Sequence, residues 1–258
     1  MLHLGANPEW KRKAIDEYKA LVDKYTNTMS PDPLHIRLST IPLSAWEDEL
    51  PSLDLIIRET LRISGSVTAF RRNIEKDIQI GEATIKQGDF VAYSMADVNL
   101  NPDIYTNPMI FDPDRYGPGR EEDRKEIYGY LSWGAGMYPA TTSLASLMCY
   151  VLGRHPCAGM KMAKLEIKSV LAMILLGYEY ELVDDNGNYP KALPDQDRND
   201  LLQVSLPPYA FYDYELGNFF CLVATYGGLV LSEIQTHRRV KQISNILRWL
   251  FDIYKQFS

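Results

Sequence analysis

Trp133-Gly134-Ala135-Gly136 and Arg154-His155-Pro156-Cys157-Ala158-Gly159 read WGAGRHPCAG when joined, and residues 137–153, MYPATTSLASLMCYVLG, stand between them. The joined stretch has an aromatic residue, closely spaced glycines, a histidine two before the cysteine, and Cys-x-Gly. Glycines let the backbone come close to a bulky group, and a thiolate at a helix start is stabilised by the positive end of the helix dipole. Downstream, Met160, Ala163, Leu165, Ile167, Val170, Leu171, Ile174 and Leu175 form a broad apolar face, which predicts a helix over 158–176 stopped by Gly177. Cys157 opens that helix. Two roles are open to it: a metal-ligating thiolate, or a buried free cysteine packed as a small hydrophobe. A zinc site built on His155 and Cys157 is too poor in ligands.

Upstream, Asn7-Pro8-Glu9 reads as a helix cap followed by Pro at the first position. Trp10, Ile15, Tyr18, Leu21, Val22 and Tyr25 extend that helix over 8–25. Residues 26–43 carry three prolines and read as a linker. Ser44 to Glu47 has the form of a capping box, and Pro51 starts another helix whose apolar stripe is Leu53, Ile56, Ile57 and Leu61. Residues 77–93 switch to alternation with turns at Gly81-Glu82 and Gln87-Gly88, which predicts a small strand meander. The prolines at 102, 108, 113 and 118 exclude a long helix over 99–118, and the charged run Arg120 to Glu126 reads as a solvated loop. After the cysteine helix, Tyr178 to Val183 alternates like a strand, and Asp185-Asn186-Gly187 is a hairpin turn.

The bulk properties narrow the function classes. The 258 residues are 46% hydrophobic and 24% charged, an ordinary globular composition. A net charge of -7 gives no electrostatic case for nucleic acid. Cys149, Cys157 and Cys221 are a sparse, odd set, which suits a reducing compartment. The start of the chain shows no signal peptide or anchor. The apolar stretch from Phe219 to Leu231 is broken at Gly227-Gly228 and is too short to span a bilayer.

Three further motifs, in order, join the cysteine loop. Glu59-Thr60-Leu61-Arg62 puts a carboxylate and a guanidinium on one helix face. Ile104-Tyr105-Thr106-Asn107-Pro108-Met109-Ile110-Phe111 runs into Phe111-Asp112-Pro113-Asp114-Arg115-Tyr116, and Arg72 lies ten residues after Arg62. Together these resemble the haem-thiolate cytochromes P-450: the ExxR helix, the Y-x-x-P-x-x-F spacing, the PERF-type loop and the cysteine-ligand loop. The stretches ADVNLNPDIY, GYLSWGAG and DRND are similar to fungal members. The resemblance implies a mainly α fold with small β-sheets, running from the helix before ExxR to the haem-ligand helix and beyond. It implies that Cys157 is the axial ligand of the iron of haem b and that Trp133, Gly136 and Gly159 shape the ligand loop. It further implies that Arg72 and His155 contact propionates, that Glu59, Arg62 and Arg115 form a buried structural triad, and that Ser66 to Phe70 contributes to the substrate wall.

The sequence departs from the family pattern in several places. Pro156 removes a backbone N–H before the cysteine, and Asn99 stands where a histidine is common. The resemblance covers 1–203, the C-terminal part of a family domain; no counterpart of the oxygen-activating helix is expected here, so no catalytic residue is assigned. The 17 residues 137–153 split the ligand loop. They read as a retained intron, since Gly-Met-Tyr suits a splice donor and Leu-Gly an acceptor; a genuine loop expansion is the alternative. Residues 204–258 leave the family pattern. In them Val240, Ile243, Ile246, Leu247, Leu250 and Ile253 make either a basic amphipathic helix or translated non-coding sequence.

The function implied is that of a monooxygenase acting on a small lipophilic substrate with O2 and an NADPH-dependent reductase, at the endoplasmic reticulum membrane for a full-length member. The alternatives are an inactive truncated or mis-spliced product without haem, and a haem-thiolate isomerase or dehydratase. With the apolar faces of 53–63 and 160–176 short of partners, the isolated chain is expected to be poorly soluble.

Overall fold

The computed structural model describes residues 1–65, 68–134, 157, 159–180 and 182, together with the backbone of three strands beyond 208. The architecture is mainly helical with small antiparallel sheets, and the chain divides into two compact units, Met1–Ile56 with Lys161–Ser258, and Ile57–Met160.

In the first unit, α1 (Leu2–Ala6) and α2 (Pro8–Tyr25) open the chain. Pro8 begins α2 as expected, but Asn7 does not cap it. The Asn7 amide lies at the end of α1 and donates instead to His3 O at 2.7 Å. The expected linker contains a helix, α3 (Leu34–Ser39). The expected capping box is absent from α4 (Leu43–Asp48), because Pro42 presets the turn and Ser44 already lies inside the helix. Trp10, Ala14, Tyr18, Leu21 and Val22 line the buried face of α2, packed in a core with Trp46, Leu50, Leu53, Leu171 and Leu175. Each buried leucine or valine among them contributes roughly 1.5–3 kcal/mol by leaving water.

α5 (Pro51–Ser64) takes its N-terminal cap from a distant helix. Glu17 accepts from Ser52 N at 2.7 Å and Leu53 N at 3.2 Å, covering two orphan donors where a negative charge is favoured. α7 (Met160–Gly177) carries a buried lysine among its apolar residues. Lys168 Nζ donates to Trp46 O at 2.9 Å, Glu47 O at 3.4 Å and Asp54 Oδ2 at 3.0 Å, so a cation closes the last turn of α4. Tyr18 OH donates to Lys168 O at 2.7 Å.

Of the strand expected from Tyr178 to Val183, the described residues 178–180 and 182 are irregular. Tyr180 is buried instead, with Lys11 Nζ 3.9 Å from its ring centroid and donating to its carbonyl at 2.9 Å. The apolar stretch after 208 forms an antiparallel meander, β5 (Tyr209–Asp213), β6 (Asn218–Thr225) and β7 (Gly228–Glu233). Gly228, the second glycine of the break read in the sequence, opens β7 opposite Thr225 of β6. The expected hairpin at 185–187 and the terminal helix lie outside the described residues.

In the second unit, β1 (Thr68–Arg72) pairs antiparallel with β4 (Phe90–Ser94), Thr68 opposite Ser94 and Arg72 opposite Phe90. β2 (Ile78–Ile80) and β3 (Ala83–Ile85) form a hairpin in which Gly81 takes φ +58°. The third run of the expected meander thus pairs with β1 rather than with its neighbour in sequence. α6 (Met95–Asn99) follows directly, with Ser94 Oγ accepting from Asp97 N. Beyond it the proline-rich segment holds only short 3-10 turns, Pro113–Tyr116 and Glu122–Arg124. No helix among the described residues is long and apolar enough to cross a membrane.

Candidate functional site

The second unit is built on a buried carboxylate. Glu59 on α5 is 0% exposed, as are Arg62 and Arg115. Arg62 Nε donates to Glu59 Oε2 at 2.9 Å and Nη2 to Oε1 at 2.8 Å, a two-point pairing that the i, i+3 spacing permits. Arg115 Nε donates to the same Oε1 at 2.9 Å. Asp112 N (3.0 Å) and Tyr116 OH (2.8 Å) supply two more donors, so the whole acceptor capacity of Glu59 is used. Burial, followed by the Glu59 charge, pushes the Tyr116 phenol well above its ordinary range and keeps it a donor.

The charged run expected to be a solvated loop supplies the counter-charge. Glu122 is buried, and its Oε2 accepts from Arg115 Nη1 at 2.6 Å and Thr106 N at 2.9 Å. Its Oε1 accepts from Arg120 at 2.8 Å, and Arg120 reaches Asp112 at 2.7 Å. Burial acts to raise the Glu122 carboxyl, but the hydrogen bonds from Arg120, Thr106 and Arg115 outweigh it and hold it below its ordinary value. Three guanidinium groups thus face three carboxylates, which removes the large penalty of an uncompensated buried charge. Tyr105 lies beneath the cluster, 4.7 Å from Arg62 and 5.7 Å from Arg115 by ring centroid. Alongside, Arg58 pairs with Asp123 and sits between the rings of Tyr116 and Tyr130 at 4.8 and 4.6 Å. A solvated loop differs from this arrangement only in its tertiary partners, so the sequence carries no signal for it.

The cluster is connected to the cysteine loop. Arg62 Nη1 donates to Asn99 O, a carbonyl at the end of α6, at 2.8 Å. The Asn99 side chain is fully buried; its Oδ1 accepts from Leu131 N at 3.1 Å and its Nδ2 donates to Ser132 Oγ at 3.0 Å. Residues 131–134 form a turn closed by Gly134 N donating to Leu131 O at 2.8 Å, with Gly134 at φ +77°. Trp133 O then accepts from Cys157 N at 2.7 Å. Sequence reasoning noted Asn99 only as a departure from the family pattern.

Cys157 is an exposed free thiol, not the buried packing residue that was its alternative role. It lies three positions before Met160, the first residue of α7, whose N–H donates to Cys157 O at 3.0 Å. A Cβ added at Gly159 would stand 3.9 Å from the sulfur, ordinary contact, so the thiol is not crowded there. Gly136, His155 and residues 137–153 lie outside the described residues. On β1, Phe70 and Arg72 share a face, and pairing places Phe90 opposite Arg72. Phe70 and Phe90 are 59% and 70% exposed, and Arg72, also exposed, has its guanidinium 5.6 Å from the Phe90 ring centroid.

The family model for cytochrome P450 matches residues 1–209. The chain belongs to the cytochrome P450 family. It is 33% identical over 187 residues to the cytochrome P450 monooxygenase AacuE of Aspergillus aculeatus, an alignment covering 71% of this chain and 34% of that protein. It is 34% identical over 206 residues to the cytochrome P450 monooxygenase nsrP of Aspergillus novofumigatus, covering 77% and 36%. The chain therefore spans about a third of the length of these curated relatives. Among solved structures, the cyanobacterial CYP120A1 bound to retinoic acid is similar in fold at a TM-score of 0.52 and 21% identity, over 76% of this chain and 36% of that one. The P450 family brings with it haem, O2 and a redox partner as general requirements.

Proposed function

We propose that this P450 chain carries the haem-thiolate side of a monooxygenase acting on a small lipophilic substrate, with Cys157 as the axial ligand of haem b. The observation that carries the reading is the state of Cys157: a free, exposed thiol at the start of an 18-residue helix, its backbone tied to the turn at Trp133. A haem-thiolate centre needs a single cysteine sulfur from the protein, which Cys157 would supply, so the residues present fit the group. When bound, the group supplies thiolate-assisted activation of dioxygen for insertion into a C–H bond.

The chain's own residues do the rest. The Trp133 carbonyl holds the Cys157 backbone, and Gly159 puts no side chain beside the sulfur. The exposed guanidinium of Arg72, with His155, is suited to a propionate. Phe70, on the same face as Arg72, offers apolar surface to the substrate. Electrons come from an NADPH-dependent reductase, and a full-length member works at the endoplasmic reticulum membrane. In this reading residues 1–203 are the P450 part, 137–153 a non-native insert, and 204–258 a separate tail.

The test is a reduced-plus-carbon-monoxide difference spectrum of the haem-loaded chain, alongside a version lacking 137–153 and Cys157→Ser and Cys149→Ser variants. A thiolate-type Soret band is expected, stronger in the shortened version, lost with Cys157→Ser and kept with Cys149→Ser. A band surviving Cys157→Ser would overturn the assignment. No band in any version would favour an inactive product.

A further inference from the structure

We infer that Asn99 is the positioning residue that transmits the fixed geometry of the Glu59–Arg62–Arg115 cluster to the backbone of Cys157. Asn99 is the point where two hydrogen-bond systems meet. Its main-chain carbonyl belongs to the cluster, through Arg62 Nη1 at 2.8 Å, and its side chain belongs to the cysteine loop, through Leu131 N and Ser132 Oγ. Arg62 cannot move away without leaving Glu59, which holds it at two further points. The carbonyl is the last of α6, where intrahelical partners run out and a cation is favoured.

On the other side the demand is chemically specific. The turn presents Asn99 with one N–H and one hydroxyl, and a primary amide accepts from the first while donating to the second. A carboxylate lacks the donor, and an aliphatic side chain lacks both. Because Asn99 is fully buried and Leu131 is 5% exposed, water is poorly placed to substitute. The turn that Asn99 pins at 131 and 132 is the one whose next carbonyl, Trp133 O, takes the Cys157 N–H. Tyr105 OH to Gly129 O at 2.6 Å and Tyr130 OH to Arg58 O at 3.1 Å hold the chain just before this turn, but at the turn itself the link from ion cluster to cysteine runs through the Asn99 side chain, so the position of the proposed ligand is set from outside its own loop. The importance of this for a metal rests on the haem-thiolate reading; the pinning of Cys157 does not.

Two variants of the full chain, Asn99→Leu and Ser132→Ala, test the inference by peptide-resolved amide hydrogen exchange. Asn99→Leu is expected to speed exchange of the Leu131–Gly134 amides and of the Cys157 amide by about tenfold or more, with peptides from 105–118 staying within about twofold. Ser132→Ala, which removes one of the two side-chain contacts, is expected to give a smaller rise at the same peptides. With haem, the same variants are expected to lower the thiolate-type fraction of the reduced carbon monoxide spectrum in the same order. Exchange at 131–134 and 157 unchanged in both variants would overturn the inference. So would an equal rise throughout 105–118, which would make Asn99 a general stabiliser of the unit. If Asn99→Leu does not fold, Ser132→Ala decides alone by the same two criteria. Faster exchange at 131–134 and 157, with no thiolate band even in the unmodified chain, would leave the positioning role standing and refute the haem reading.

Discussion

Replacing Glu59 by glutamine changes almost no volume and removes one charge from a place with no solvent contact. The carboxylate receives five donors, three on Oε1 and two on Oε2. With the glutamine oxygen at the Oε1 position, the three donors there are kept without the negative charge. The glutamine NH2 must then face Arg62 Nε, donor against donor; only the Tyr116 hydroxyl can turn to accept. Arg115 keeps Glu122, but Arg62 is left with Asn99 O and an uncharged amide oxygen, and no carboxylate. Removing one partner of a buried ion pair typically costs about 3–5 kcal/mol, a large part of the roughly 5–15 kcal/mol that holds a domain folded. Urea unfolding followed by aromatic fluorescence measures it, with Arg124→Ala as the control. Arg124 pairs with Glu121 at 3.4 Å, with side chains 76% and 49% exposed, and such a pair contributes about 0–1 kcal/mol. If Glu59→Gln costs no more than Arg124→Ala, the cluster does not organise the unit.

Glu122 has its folded pKa below the ordinary 4.5, so its contribution is complete above that pH and is lost as pH falls through the lower folded value. Melting temperature against pH should therefore fall more steeply below about 4.5 in the natural chain than in Glu122→Gln, which starts lower and is flatter. Lys168→Met keeps the length of the side chain but strips the donor from Trp46 O; a loss of about 1–3 kcal/mol is expected, read by the same urea titration. Gly134 at φ +77° has no atom within 4 Å of an added Cβ, so Gly134→Ala carries backbone strain alone, about 1–2 kcal/mol, together with faster amide exchange at 131–134.

How far the sequence could be read depended on how local the cause was. The helices 8–25 and 160–177 were legible because their apolar residues recur at helical spacing, and the turn at Gly81 because only two residues decide it. The Glu59–Arg62 pair was legible for the same reason, being one helical turn. The strand expected at Tyr178 failed because alternation alone does not supply a pairing partner, and the Ser44 cap failed because Pro42 had already started the helix.

By itself the sequence determined the family: four motifs in one order, from ExxR to the cysteine, with Cys157, Glu59, Arg62 and Arg115 as the residues to look for. Only the tertiary structure decided what surrounds them. Nothing in Arg120 to Glu126 distinguishes a solvated charge run from one that buries Glu122 against Arg115, and nothing in Glu17 announces that it caps a helix 35 residues away. Nor does Asn99 declare that its amide joins the ion cluster to the cysteine turn. Burial and hydrogen-bond partnership are properties of groups brought together by packing, and the energy of a charge depends on them far more than on its neighbours along the chain.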